Sequence, residues 1–237
     1  MAKFFTSLFR PAHQKVVQIF VPFSKINLGI YGLWLGGHLL TQMLNQIAVA
    51  EGNQGPNIPL ILVTVCTELT VSFFIYLIIP LRTKEFLNRQ NPSSFKKIWL
   101  TYAKDLVSEQ LRVASGIVIG LVMGIFPGLL RMVRWAFVPF IVTTNPAYTQ
   151  GEVDALKYSE KLTKGLIGSI ALFWLVLALS DLVFYYLEQI NYLGQTDIAV
   201  WTWQGGVSLL SFIVQLYAVL LTYVIYDMLR SSEGVPR

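Results

Sequence analysis

The stretch IVIGLVMGIFPGLLRMVRWAFVPFIV, residues 117–142, decides the fold. Its apolar residues run on without the polar stripe that a half-buried helix or strand shows in water, so hydrocarbon is the solvent that suits them. Arg131 and Arg134 interrupt the run shortly after Pro127-Gly128. A charge that deep costs about 2.5 to 3.5 kcal/mol on insertion scales, so it faces protein, water or a partner carboxylate rather than lipid. Proline withdraws a helical donor and glycine permits a reversal. Pro127 and Gly128 are therefore the expected hairpin break, with a third span over 113–127 and a fourth over 128–143.

The rest of the chain has the same character. Of its 237 residues 54% are hydrophobic and only 13% are charged, and the mean hydropathy is +0.58. Blocks this long and continuous exceed barrel strands, and helices satisfy their own backbone in lipid, so the expected fold is an all-α polytopic transmembrane helical bundle. Further spans are expected over 28–50, 58–80, 166–190 and 203–229, each near the 20 or so residues that cross about 30 Å of hydrocarbon. About six spans leave no length for a separate soluble domain, so 1–237 is expected to form one membrane domain. The single cysteine, Cys66, excludes an internal disulfide framework and a cysteine-based metal site.

Basic residues give an independent check on sidedness. With the N-terminus cytoplasmic, every lysine and arginine of the 18 except Arg131 and Arg134 falls at an inner position. None lies in the outer segments around Gly52–Asn57 and Asn191–Trp201, which follows the positive-inside rule. A single pass through 113–143 would move Lys157, Lys161 and Lys164 outside and spoil the pattern. Both termini are therefore expected inside. Segment 1–27 mixes Lys3, Arg10, His13 and Lys15 with Phe4, Phe5, Leu8 and Phe9, and is expected to lie along the interface. Two cytoplasmic amphipathic helices are expected over 93–110 and 149–164. The second would open on a Thr149–Glu152 capping box after Asn145-Pro146 and stop at Gly165. Lys96, Lys97, Lys157, Lys161 and Lys164 are the basic residues expected to meet anionic headgroups.

Depth counting at about 1.5 Å per residue pairs Arg131 with Glu188 and Arg134 with Asp181. By the same count His38, Glu68 and Gln215 fall nearer the bilayer centre, so these residues form a candidate intramembrane polar cluster. It would serve either as polar glue between helices or as a path for a proton, ion or solute. Arginine keeps its proton, so neither Arg131 nor Arg134 can relay one. Gly116, Gly120 and Gly124 form a small-residue ladder suited to a helix contact within the chain. Zinc-peptidase, nucleophile-elbow and phosphate-loop patterns are missing, and His13 and His38 make no ligand pair by spacing. No catalysis, metal or cofactor is expected.

Phe126-Pro127-Gly128, Arg131, Arg134, Phe137-Val138-Pro139-Phe140, Asn145-Pro146, Ala155-Leu156-Lys157-Tyr158-Ser159 and Leu162-Thr163-Lys164-Gly165 recur in an order that resembles a known family. It is a bacterial family of polytopic membrane proteins of unknown function, related to the membrane domain accompanying some glycerophosphoryl diester phosphodiesterases. The resemblance covers about Gly116 to Ser180 and implies six helices, with an inner amphipathic helix between the fourth and fifth. No phosphodiesterase domain is present, so that activity does not carry over. The expected protein is a non-catalytic accessory or scaffold of the bacterial inner membrane, touching anionic lipid, a cytoplasmic protein partner or a second copy, and not nucleic acid. A small transporter or channel using the polar cluster is the alternative.

Overall fold

The computed structural model describes residues 8–26, 32, 36, 79–85, 95–190 and 197–232, and among these all regular structure is helical. In chain order the helices are α1 (Arg10–Ile26), α2 (Phe95–Met123), α3 (Ile125–Arg134), α4 (Val138–Thr144), α5 (Pro146–Thr149), α6 (Ala155–Thr163), α7 (Ile167–Ile190) and α8 (Asp197–Ser232). Among the described residues, four segments are long and apolar enough to cross a membrane: Lys96–Met123, Ile125–Thr144, Ile167–Phe184 and Gly205–Ser232. The chain is thus a membrane protein, all-helical among its described residues. The expected spans 28–50 and 58–80 lie almost wholly outside the described residues.

The chain forms two compact units, one of Met1–Val21, Tyr76–Leu177 and Tyr217–Arg237, the other of Pro22–Ile75 and Ala178–Leu216. In the first, α4 is buried along its whole length. Phe137 and Phe140 pack there against Tyr223 and Tyr226 of α8, with ring centroids 5.8 to 6.0 Å apart. The N-terminal helix α1 buries Ala12, Val16 and Ile19 on one face and leaves Gln14, Lys15 and Gln18 exposed on the other. That spacing is an amphipathic stripe. Tyr217 receives it, through a hydrogen bond shared with His13 and a ring contact with Phe20. In the second unit, Trp203 of α8 donates its indole N–H to the Leu187 carbonyl of α7 at 3.0 Å.

Four boundaries differ from expectation. The amphipathic helix over 93–110 and the span over 113–127 are one continuous 29-residue helix, α2. Neither proline nor glycine stands between Phe95 and Gly116, and Arg112 clasps Glu109 one turn earlier across the expected joint, at 2.7 and 2.9 Å. The hairpin reverses at Gly124, three residues before Pro127. Gly124 has φ +146° and ψ 153°, a conformation that is open to glycine and strained for other residues. Pro127 sits instead in the first turn of α3, where a missing N–H leaves no helical bond unmade.

Glycines then let the two arms meet. A Cβ on Gly120 would stand 2.9 Å from the Gly128 Cα, and one on Gly128 would stand 2.9 Å from the Leu121 amide nitrogen. A Cβ on Gly116 would collide with the Trp135 ring. The small-residue ladder is therefore a contact face between α2 and α3 within this chain.

The fourth expected span, 128–143, is broken at Trp135–Phe137 between α3 and α4. Pro139, in the first turn of α4, has no N–H to give the Trp135 carbonyl four residues back, so the helix cannot run through from α3. The backbone groups released at the break find side-chain partners on α6. The Arg134 carbonyl accepts from Ser159 Oγ at 2.7 Å and from Thr163 Oγ1 at 3.3 Å, while the Phe137 N–H donates to Ser159 Oγ at 3.3 Å.

Helix α6 also begins later than the capping box implied. Asn145 caps only the one-turn α5 by accepting from the Ala147 N–H at 3.1 Å, and Thr149 is spent on the Pro146 carbonyl. Gly151 then turns the chain at φ +75°. Asp154 is the true cap: its carboxylate accepts from the Leu156 and Lys157 N–H groups at 3.0 and 3.1 Å. A carboxylate there also complements the positive helix end, which a threonine hydroxyl does not. The far end fits the sequence, with Thr163 last and Gly165 at φ +87°. Replacing Asp154 with alanine should destabilise the protein by about 1 to 2 kcal/mol, readable as a lower midpoint in thermal unfolding.

Candidate functional site

Polar side chains gather where the helices of the first unit end, and they do so in three groups. The first group fixes the hairpin. Arg131, half-buried, donates to the Gly116 carbonyl at 2.6 Å, and its guanidinium lies 5.9 Å from the Trp135 ring centroid. Trp135 in turn donates its indole N–H to Glu160 of α6 at 2.9 Å. Arg131 is thus accommodated inside its own hairpin by a helical carbonyl and an aromatic face. The expected partner Glu188 has a side chain outside the described residues, as have His38 and Glu68. Asp181 and Gln215 belong to the second unit, Asp181 exposed and Gln215 half-buried. Arg134 contributes its backbone carbonyl to α6, as described above. Of the expected cluster, then, Arg131 meets α2 and Trp135 within the hairpin, and Arg134 meets α6 through its carbonyl.

The second group joins α2 to the start of α6. Arg112 bridges the buried Glu109 and the cap residue Asp154, reaching Asp154 at 2.9 Å. Tyr148 donates to Glu109 Oε1 at 3.3 Å. Burial, then the charges of Glu109 and Asp105, push the Tyr148 phenol up to about 12, so it remains a donor at neutral pH. Burial alone would raise the Asp154 carboxyl, but the Arg112 hydrogen bond and the Lys157 and Leu156 N–H groups outweigh it and hold the carboxyl below its ordinary range. A depressed carboxyl lends stability above its unfolded pKa of about 3.9, lost as pH falls through the lower folded value. The protection of the α6 amides, measured as exchange relative to the intrinsic rate at each pH, should therefore fall on acidification below about pH 4, and Asp154→Asn should flatten that response.

The third group was not legible as a site in the sequence. Lys84 and Arg230 both donate to one backbone carbonyl, that of Thr144, at 3.1 and 3.0 Å. Arg230 is buried, with Asp227 at 3.6 Å and the Tyr226 ring beneath it. Burial, then the positive charge of Arg230, push the Lys84 ammonium down, with Asp227 opposing. The two cations bind the end of α4, which a helix leaves rich in unpaired carbonyls and partial negative charge. Both residues carry a sequence signal, but the positive-inside rule marks only their side of the membrane, and nothing in their spacing ties 84 to 230.

Between these groups α6 presents a divided surface. Ala155, Tyr158, Ser159, Leu162 and Thr163 are buried, while Lys157, Glu160, Lys161 and Lys164 are exposed. Lys161 also lies 6.0 Å from the Tyr158 ring centroid. Lys96 and Lys97 are exposed at the beginning of α2. All five lysines are exposed, two at the start of α2 and three on or just past α6.

Compared with protein-family models, curated proteins and solved structures, the chain matches none.

Proposed function

We propose that this chain is a non-catalytic accessory or scaffold protein of the bacterial inner membrane whose basic inner-face helices contact anionic lipid headgroups. The observation that carries the proposal is α6. Lys157 and Lys161 on the helix and Lys164 just past its end are exposed, and the helix is fixed in place because Ser159 and Thr163 on the opposite face bond the broken backbone of the hairpin. A basic helix so anchored at the end of apolar segments suits a leaflet surface, where each lysine contributes about 1 kcal/mol toward anionic lipid. Helix α1, docked by its apolar stripe, likewise turns Lys15 outward.

In this reading the chain has six membrane segments, 28–50 and 58–80 among them, with both termini cytoplasmic, as the distribution of basic residues supports. The resemblance to the family of bacterial polytopic membrane proteins supports the same layout. The test is lipid retention. Protein purified from mixed vesicles and analysed by native mass spectrometry should keep phosphatidylglycerol in preference to phosphatidylcholine, and neutral replacement of the α6 lysines should abolish the preference. Equal retention of both lipids by the unmodified protein would contradict the proposal.

A further inference from the structure

The geometry points to a hairpin of α2 and α3 that enters one leaflet only, with its tip near the bilayer midplane. The inference needs a membrane but not the headgroup preference proposed above. It begins with where charge stops. On α2 the last charged side chain before the tip is Arg112, which is half exposed and paired with the partly exposed Asp154. From Arg112 to the reversal at Gly124 is about 18 Å of helix.

On the returning arm, the level of Trp135 is fixed by its bond to exposed Glu160, and α6 displays Lys157, Lys161 and Lys164 beside it. A helix face with two lysines and a glutamate, followed at once by a third lysine, is excluded from hydrocarbon, so the Arg134–Phe137 break lies at the interface. From Arg134 to Gly124 is about 15 Å. Arg131 sits one turn further in, with its guanidinium on the Gly116 carbonyl, from which the tip is about 12 Å away. All three lengths are near half of the roughly 30 Å hydrocarbon thickness.

The apolar surface agrees. Beyond Gly116 and Arg131 the tip is exposed on its flanks, with Val122 84%, Met123 71%, Ile125 74% and Phe126 74% accessible. On the far side of the break, α4 is buried in protein throughout and offers lipid nothing. The segment Ile125–Thr144 has the length of a span, yet only its first half is built to meet lipid. The partner of this surface is therefore the acyl chains of the leaflet whose headgroups α6 faces. Such a wedge takes up area in one leaflet and not in the other.

The test uses the full chain with Cys66→Ser and single cysteines by Met123→Cys or Phe126→Cys, both at exposed positions that tolerate change. Nitroxide-labelled protein in phosphatidylcholine and phosphatidylglycerol vesicles should show high oxygen and low nickel-chelate collision at both tip sites, the signature of the bilayer centre. A Lys157→Cys label should show the reverse. In separate samples, a membrane-impermeant maleimide should leave both tip cysteines unmodified from either side. Nickel-chelate access at the tip, or labelling from either face, would overturn the inference; labelling from the face opposite residue 157 would establish a full crossing instead.

Discussion

Replacing Gly128 with valine is expected to push the hairpin apart and destabilise the protein by about 1 to 3 kcal/mol, the range found when side chains are forced into filled space. The contact leaves nowhere for the added carbons. A Cβ at 128 already meets the Leu121 backbone at 2.9 Å, and the opposing Gly120 would meet Gly128 at the same distance. Relief requires α3 to move away from α2, which also withdraws Arg131 from the Gly116 carbonyl. Gly168 provides the control, because nothing lies within 4 Å of a Cβ built there. Gly168→Ala should therefore leave the protein unchanged or stabilise it by about 0.5 to 1 kcal/mol through the lost flexibility of glycine. Thermal unfolding in detergent, followed by tryptophan fluorescence, reads both. Equal midpoints for the two variants would show that the glycine contact does not hold the hairpin.

The second large effect concerns lipid. Neutralising Lys157, Lys161 and Lys164 together with glutamine removes about 3 kcal/mol of attraction to an anionic surface, which corresponds to roughly a hundredfold loss of preference for phosphatidylglycerol. The three side chains are exposed, so the substitution leaves the buried face of α6 and its bonds to Arg134 in place. The preference of the unmodified protein should fall with added salt, since exposed charges are screened over about 10 Å at 0.1 M. The triple variant should show little salt dependence. An unchanged preference in the triple variant would move the lipid contact elsewhere on the molecule.

The apolar runs made α7 and α8 legible, because length and hydropathy alone specify a helix in lipid. The hairpin was legible in kind but not in place. Pro127 is the stronger helix breaker by type, yet a proline in the first turn of a helix breaks nothing; the turn takes its positive φ at Gly124, while Gly128 stays helical and serves as the contact with Leu121. The start of α6 was misplaced for a related reason: Thr149-x-x-Glu152 has the right spacing, but Gly151 turns the chain within it and Asp154 offers a stronger cap. Depth counting registers height along a helix and says nothing of nearby carbonyls and aromatic rings, so it gave no signal for the Gly116 carbonyl and Trp135 ring that Arg131 meets, while the Glu188 side chain expected beside it lies outside the described residues. The union of Lys84 and Arg230 on the Thr144 carbonyl had no local signal, since three distant segments meet there.

The central claim is that the basic face of α6 lies at the cytoplasmic surface of a membrane, and one labelling measurement tests it most directly. Cells carrying Cys66→Ser with Lys157→Cys should resist a membrane-impermeant maleimide added outside and react with it fully once the inner face is opened. Full labelling of residue 157 in intact cells would contradict the account.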